Sequence, residues 1–141
     1  MLTLVVTDVI SPSIVKAIER GHNDCNCLIT RTGTNHPLAV VLTDPETKLV
    51  VGGAIGLSSV GLLFVDAFFL PEQLRGKGLA TKVLKEFEDE GRRRGCRLAF
   101  LYTIDFSDLY ARNGWKPFGR TPCDRPETFR IFMTKSLDAG S

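Results

Sequence analysis

The stretch from Pro37 to Gly95 admits few folds. Two β-type runs, "PLAVVLT" and "KLVVGGAIGLS", flank Asp44-Pro45-Glu46-Thr47. Proline presets φ there and aspartate can bond its own backbone, so the pair reads as a hairpin. Ser58-Ser59-Val60-Gly61 makes a second reversal into "LLFVDAFFL", which gives a three-stranded antiparallel meander over residues 37–70. The third run is almost wholly apolar, so cover is expected on both of its faces. It passes through "PEQLRGKG" straight into a helical period over residues 78–94, and then into a buried run, "CRLAFLYT". The helical connection makes this last strand parallel to the third one. A meander feeding a single crossover is not the alternating order of a doubly wound parallel sheet.

In the helical period Leu79, Ala80, Val83, Leu84 and Phe87 share one side, and Lys82, Lys85, Glu86, Glu88 and Asp89 are expected to face out. Glu88 with Arg92 and Glu90 with Arg94 have the favourable acid-first spacing. Gly95 is a natural stop, and Arg92-Arg93-Arg94 reads as a helix C-terminus on a solvated face. Upstream, "LTLVV" predicts a short strand. Ser11-Pro12 predicts a helix start, Gly21 its end, and residues 22–36 mainly loop. Downstream, "FSDLYARNG" predicts a short helix stopped at Asn113-Gly114, and "WKPFG" and "TFRIFMTKS" two final strands. The expected architecture is α/β: a mixed, largely antiparallel central sheet with helices on both faces, in one domain over residues 1–141.

Apolar residues make up 43% and charged ones 24%, and the net charge is +2. So small an excess does not suit a phosphate-tracking surface, and no nucleic-acid partner is expected. A nucleic-acid module carried by Arg92 to Arg94 is the weakest of the functional readings. There is no apolar run of membrane-spanning length. The start has no basic segment and carries Asp8, so the expected location is cytoplasmic. Cys25, Cys27, Cys96 and Cys123 fall at irregular spacings, which favours reduced thiols over a metal centre completed by His22 and His36. No metal is expected.

The chemistry concentrates at Arg75-Gly76-Lys77-Gly78. An ordinary strand-to-helix turn explains glycines at positive φ but not the flanking charge. Bare backbone, unpaired N–H groups at a helix start and two cations make an anion site suited to a pyrophosphate. A dinucleotide fingerprint would need Gly or Ala where Thr81 stands, and a Walker loop would need Lys-Ser or Lys-Thr after Gly78.

The chain resembles the GCN5-related N-acetyltransferases (GNAT), whose signature Q/R-x-x-G-x-G/A here stands as Arg75-Gly76-Lys77-Gly78-Leu79-Ala80. The preceding meander, the following helix and parallel strand, and "LYARNGW" keep the family's order over roughly residues 37–135. The resemblance implies an acetyl-CoA-dependent N-acetyltransferase. The pyrophosphate would lie on N–H groups of Arg75, Gly76, Lys77, Gly78, Leu79, Ala80 and Thr81, and the pantetheine arm beside Phe68 and Leu70. Main-chain N–H near Leu70 would polarise the thioester carbonyl. Tyr110 stands where the family places its proton donor.

For the base, Asp66 is a carboxylate inside an apolar strand and Glu72 precedes the phosphate turn; water or the amine's own equilibrium are the other routes. Trp115 reads as core. The acceptor is a primary amine, on a small molecule or on a protein or peptide, and a homodimer is implied by the resemblance alone. A CoA-binding sensor or scaffold of the same fold, without turnover, is the other reading.

Overall fold

The computed structural model describes residues 1–30, 35–104 and 107–138. They fall into two compact units, Met1–Thr34 and Asn35–Ser141.

In the first unit α1 spans Pro12–Thr30. It starts where Ser11 predicts, with the Ile14 N–H donating to the Ser11 carbonyl at 3.1 Å. It does not stop at Gly21. A glycine inside a helix costs only about 1 kcal/mol, and no neighbour forces a break there. The loop expected from His22 is therefore helix as far as Thr30. "LTLVV" forms no strand, because strand propensity needs a partner ladder and residues 1–11 have none.

The second unit is a six-stranded sheet of order β1-β2-β3-β4-β6-β5. Its strands are β1 (His36–Thr43), β2 (Val50–Ser59), β3 (Leu62–Phe69), β4 (Leu98–Thr103), β5 (Lys116–Pro122) and β6 (Phe129–Ser136). Between β3 and β4 run a single turn of tight helix, η1 (Glu72–Leu74), and α2 (Leu79–Arg93); α3 (Ser107–Arg112) follows β4. Every pairing is antiparallel except β3 with β4, as the crossover requires.

The two reversals form as read. The Asp44 carboxylate accepts the Glu46 N–H at 2.8 Å, and Val60 and Gly61 carry φ of 45° and 81° in a two-residue hairpin turn whose backbone suits the sheet twist. At the other end of α2, Gly95 takes φ 83° and Cys96 N–H returns to the Gly91 carbonyl, closing the helix.

The core lies between α2 and the sheet: Val83, Leu84 and Phe87 meet Leu63, Val65, Ala99, Leu101 and Met133. Within this unit the two faces of β3 differ: Val65 packs into the core at 4% exposure, whereas Phe69 at the strand end is 60% exposed. The other face is an aromatic row in which rings shield one another sideways. Phe64 stacks on Phe100 at 4.8 Å, and Tyr102 meets Phe132 edge-on at 6.1 Å. Glu88, expected to face out, is buried at 3% exposure. Its partners, Trp115 and Lys135, come from distant parts of the chain.

Candidate active site

The site begins with a fault in β3. Ile55 pairs with Ala67 and Gly56 with Val65, so Asp66 is an extra residue opposite no partner. The bulge shifts the alternation. Leu63 and Val65 are buried before it, and Leu70 is buried beyond it with Phe68 packed on the core. Asp66 itself is exposed.

A second fault lies on the parallel side. β3 meets β4 only from Leu62 to Phe64, opposite Leu98 to Phe100, while β4 stays paired with β6 through Thr103. Past Phe64 the two strands part, and a cleft of about 660 Å³ opens between them. The ends of parallel strands are where open sheets hold ligands. One wall is Val65 to Leu70 and the other Leu101 to Thr103. The glycine turn, the start of α2 and α3 complete the cleft.

Gly76 and Gly78 both take φ 77°, and a Cβ at either would meet nothing within 4 Å. Left-handed residues in a turn let successive N–H groups face an anion, and of those singled out here the Arg75 N–H is not available, since it donates to the Glu72 carbonyl at 3.1 Å. No side chain caps α2 and its first turn holds no acidic residue, so the positive end of the helix stays uncompensated. These residues fit a pyrophosphate. Arg75 does not lend its whole charge to the turn. Its Nε donates to the Leu70 carbonyl at 2.9 Å, tying the end of β3 to the start of the turn.

Of the residues singled out for the cofactor, Phe68, Leu70, Arg75, Gly76, Gly78, Ala80 and Thr81 line the cleft. Lys77 and Leu79 do not. Asp66 and Tyr110 line it too, whereas Glu72 sits exposed on η1 outside it. Tyr110 is only 5% exposed and stands between rings, edge-on to Phe68 at 6.3 Å and to Trp115 at 5.8 Å. Burial disfavours the phenolate and pushes its pKa up to about 12. Trp115 is core, as its pattern suggested.

Arg112 and Asn113 also line the cleft, and sequence reading passed over both. The signal was available: Arg112 closes the short helix of Tyr110 and Asn113 opens the turn that follows it. Among the described residues no group of His, Cys, Asp and Glu is arranged to hold a metal. No helix there is long and apolar enough to cross a membrane.

Residues 11–119 match the family model for the acetyltransferase (GNAT) family. An acetyltransferase of Agrobacterium fabrum is 31% identical over 120 residues, which cover 84% of this chain and 87% of that protein. The crystal structure of an Agrobacterium tumefaciens protein assigned as an acetyltransferase superposes with a TM-score of 0.86 at 28% identity, covering 96% of this chain and 99% of that one. An aminoglycoside 6'-N-acetyltransferase complexed with coenzyme A shares the fold, with a TM-score of 0.65 at 15% identity over 93% of this chain and 83% of that one. A cleft opened by a β-bulge and a splayed parallel pair, with a signature glycine turn beside it, thus accompanies a sequence match over most of the chain, which belongs to the GNAT family of acetyltransferases.

Proposed function

We propose that residues 1–141 act as one N-acetyltransferase domain that moves acetyl from acetyl-CoA to a primary amine of a small molecule by direct attack. The observation that carries the reading is the cleft between β3 and β4, with an open glycine turn beside it and a buried tyrosine in its wall. The coenzyme A bound to the aminoglycoside acetyltransferase of the same fold supports it.

Acetyl-CoA supplies the acyl group as a thioester. N–H groups from Gly76 to Thr81 hold the pyrophosphate, the Arg75 N–H being taken by the Glu72 carbonyl at 3.1 Å, and Arg75, by gripping the Leu70 carbonyl, keeps β3 in register with that turn. Main-chain N–H near Leu70 stabilises charge developing on the thioester oxygen. The amine nitrogen bonds to the carbonyl carbon as the carbon–sulfur bond breaks, and the ammonium proton leaves through Asp66 or water. Asp66 is favoured over Glu72 because it lines the cleft.

Tyr110 serves the departing sulfur. Complete transfer from a phenol near about 12 to a thiolate whose acid is near ~8.5 is uphill by roughly 3.5 units, about 5 kcal/mol. Desolvation raises the thiol's own pKa and closes part of that gap. The phenol therefore acts first as a hydrogen-bond donor to sulfur, and the proton follows as charge builds there.

The test is a panel of primary amines with thiol release as readout, run beside thermal shift with acetyl-CoA, NAD and ATP. Acetyl-CoA at roughly 100 times its dissociation constant should stabilise the fold by about 2.7 kcal/mol, and NAD and ATP by less. Stabilisation without turnover across the panel would favour a sensor. A shift with NAD alone would remove the acetyl-CoA reading.

A further inference from the structure

Glu88 is the one buried carboxylate among the described residues, and the reaction outlined above does not use it. It projects from α2, the helix whose first turn faces the cleft, and accepts from Lys135 Nζ of β6 at 2.6 Å and from Trp115 Nε1 at 3.1 Å. Arg92 stands further off at 4.0 Å. Lys135 also donates to the Asn113 carbonyl at 2.8 Å. Both routes from Glu88 end at one turn. Asn113 N–H and Trp115 N–H donate to the Tyr110 carbonyl at 2.9 and 3.0 Å, and the Trp115 ring abuts the Tyr110 ring.

A buried ion pair is a poor device for stability alone, because apolar residues of similar volume often do as well. Directional bonds to a charged acceptor specify geometry better than apolar contact does. Here the directions converge on the residue that faces the sulfur. We infer that Glu88 is a positioning residue for the acetyl transfer, anchoring the Tyr110 turn to the cofactor helix through Trp115 and Lys135. This rests on the role of Tyr110 proposed above.

Two variants test it. Glu88→Gln is isosteric and weakens the Lys135 bond. Glu88→Met/Lys135→Met replaces the pair by apolar groups and folds even if the single change does not. The first readout needs no acceptor: NMR titration of carbon-labelled tyrosine, with Tyr102→Phe used to assign the two signals. In the parent protein the Tyr110 signal should stay that of the neutral phenol through pH 11. In either variant ionisation should move down toward ~10, the value for a solvated phenol.

The second readout uses the best acceptor of the amine panel. Each variant should lose about 10-fold in kcat with acetyl-CoA affinity within about twofold, less than the roughly 10²- to 10⁴-fold worth of a general acid because the hydroxyl is displaced and not removed. Added to Tyr110→Phe, the Glu88 change should cost little more. A purely structural Glu88 would leave the titration of Tyr110 unmoved in a folded variant, or multiply its loss onto that of Tyr110→Phe, and either result overturns the inference. If Tyr110→Phe alone keeps full activity, the donor role fails with it; the titration separately decides whether Glu88 holds the turn.

Discussion

The two ends of the cleft are built from different materials. At the glycine turn the groups proposed to hold phosphate are backbone N–H, residues 75–78 are exposed, and nothing lies near the missing Cβ atoms of Gly76 and Gly78. At Tyr110 the proposed working group is a side chain held among buried and half-buried neighbours: Phe68 from β3, Trp115 after α3, and behind them Glu88 of α2 and Lys135 of β6. The first end depends on local conformation over a few residues. The second depends on four elements meeting in register. One should therefore be lost by adding atoms and the other by removing or redirecting them.

The largest effect is expected from Gly78→Val. A β-branched residue at φ 77° is strained by about 1–3 kcal/mol, but no neighbour would be displaced. The fold should largely survive, as far-ultraviolet circular dichroism would report. If two charge-assisted bonds to phosphate are lost, each worth roughly 2 kcal/mol, acetyl-CoA affinity should fall about 10³-fold by calorimetric titration. A folded variant with unchanged affinity would show that the turn is not the phosphate cradle, and the contrast between the ends would collapse.

Tyr110→Phe comes next. It keeps the ring against Phe68 and Trp115, so acetyl-CoA affinity should hardly change while kcat falls about 10²-fold. The pH profile sharpens the point. Because burial holds the phenol neutral up to about 12, kcat of the parent should rise as the acceptor amine deprotonates and show no fall by pH 10.5. An alkaline limb near pH 10 would mean a solvated hydroxyl or a different acid. Full activity in the phenylalanine variant would leave water as the proton source.

The same contrast governs what could be read from the chain. The turn was legible because its causes are local: glycines at positive φ, a helix start and flanking cations all lie between Arg75 and Thr81. The meander was legible for the same reason, through Asp44-Pro45 and Val60-Gly61. Glu88 was misplaced because helical periodicity sorts side chains by polarity, and polarity is a guide only where no distant partner satisfies the charge. Trp115 and Lys135 lie 27 and 47 residues away. Asp66 was noticed as a carboxylate among apolar residues, yet its exposure follows from a bulge set by the β2 register, which no pattern within β3 reveals. Gly21 misled in the opposite sense, because a glycine permits a helix end without requiring one.

The smallest effect bears on stability and isolates burial at the Tyr110 end from catalysis. In the unfolded chain the phenol ionises near ~10, whereas in the fold it does so near about 12. Between those values the unfolded state sheds its proton first, so rising pH favours unfolding. The contribution is fully present below pH ~10 and is lost as pH climbs toward the folded value. By pH 11 it amounts to about 1.4 kcal/mol, or roughly 3–5 °C in Tm for a domain of this size. Phenylalanine has no such proton. All other groups are common to both proteins, so the quantity to compare is the drop in Tm from pH 9 to pH 11, which should be smaller in Tyr110→Phe by that margin. Equal drops would place the hydroxyl in water. In that case the side-chain-built end of the cleft would be as open as the backbone-built one, and Glu88 would have nothing buried to hold.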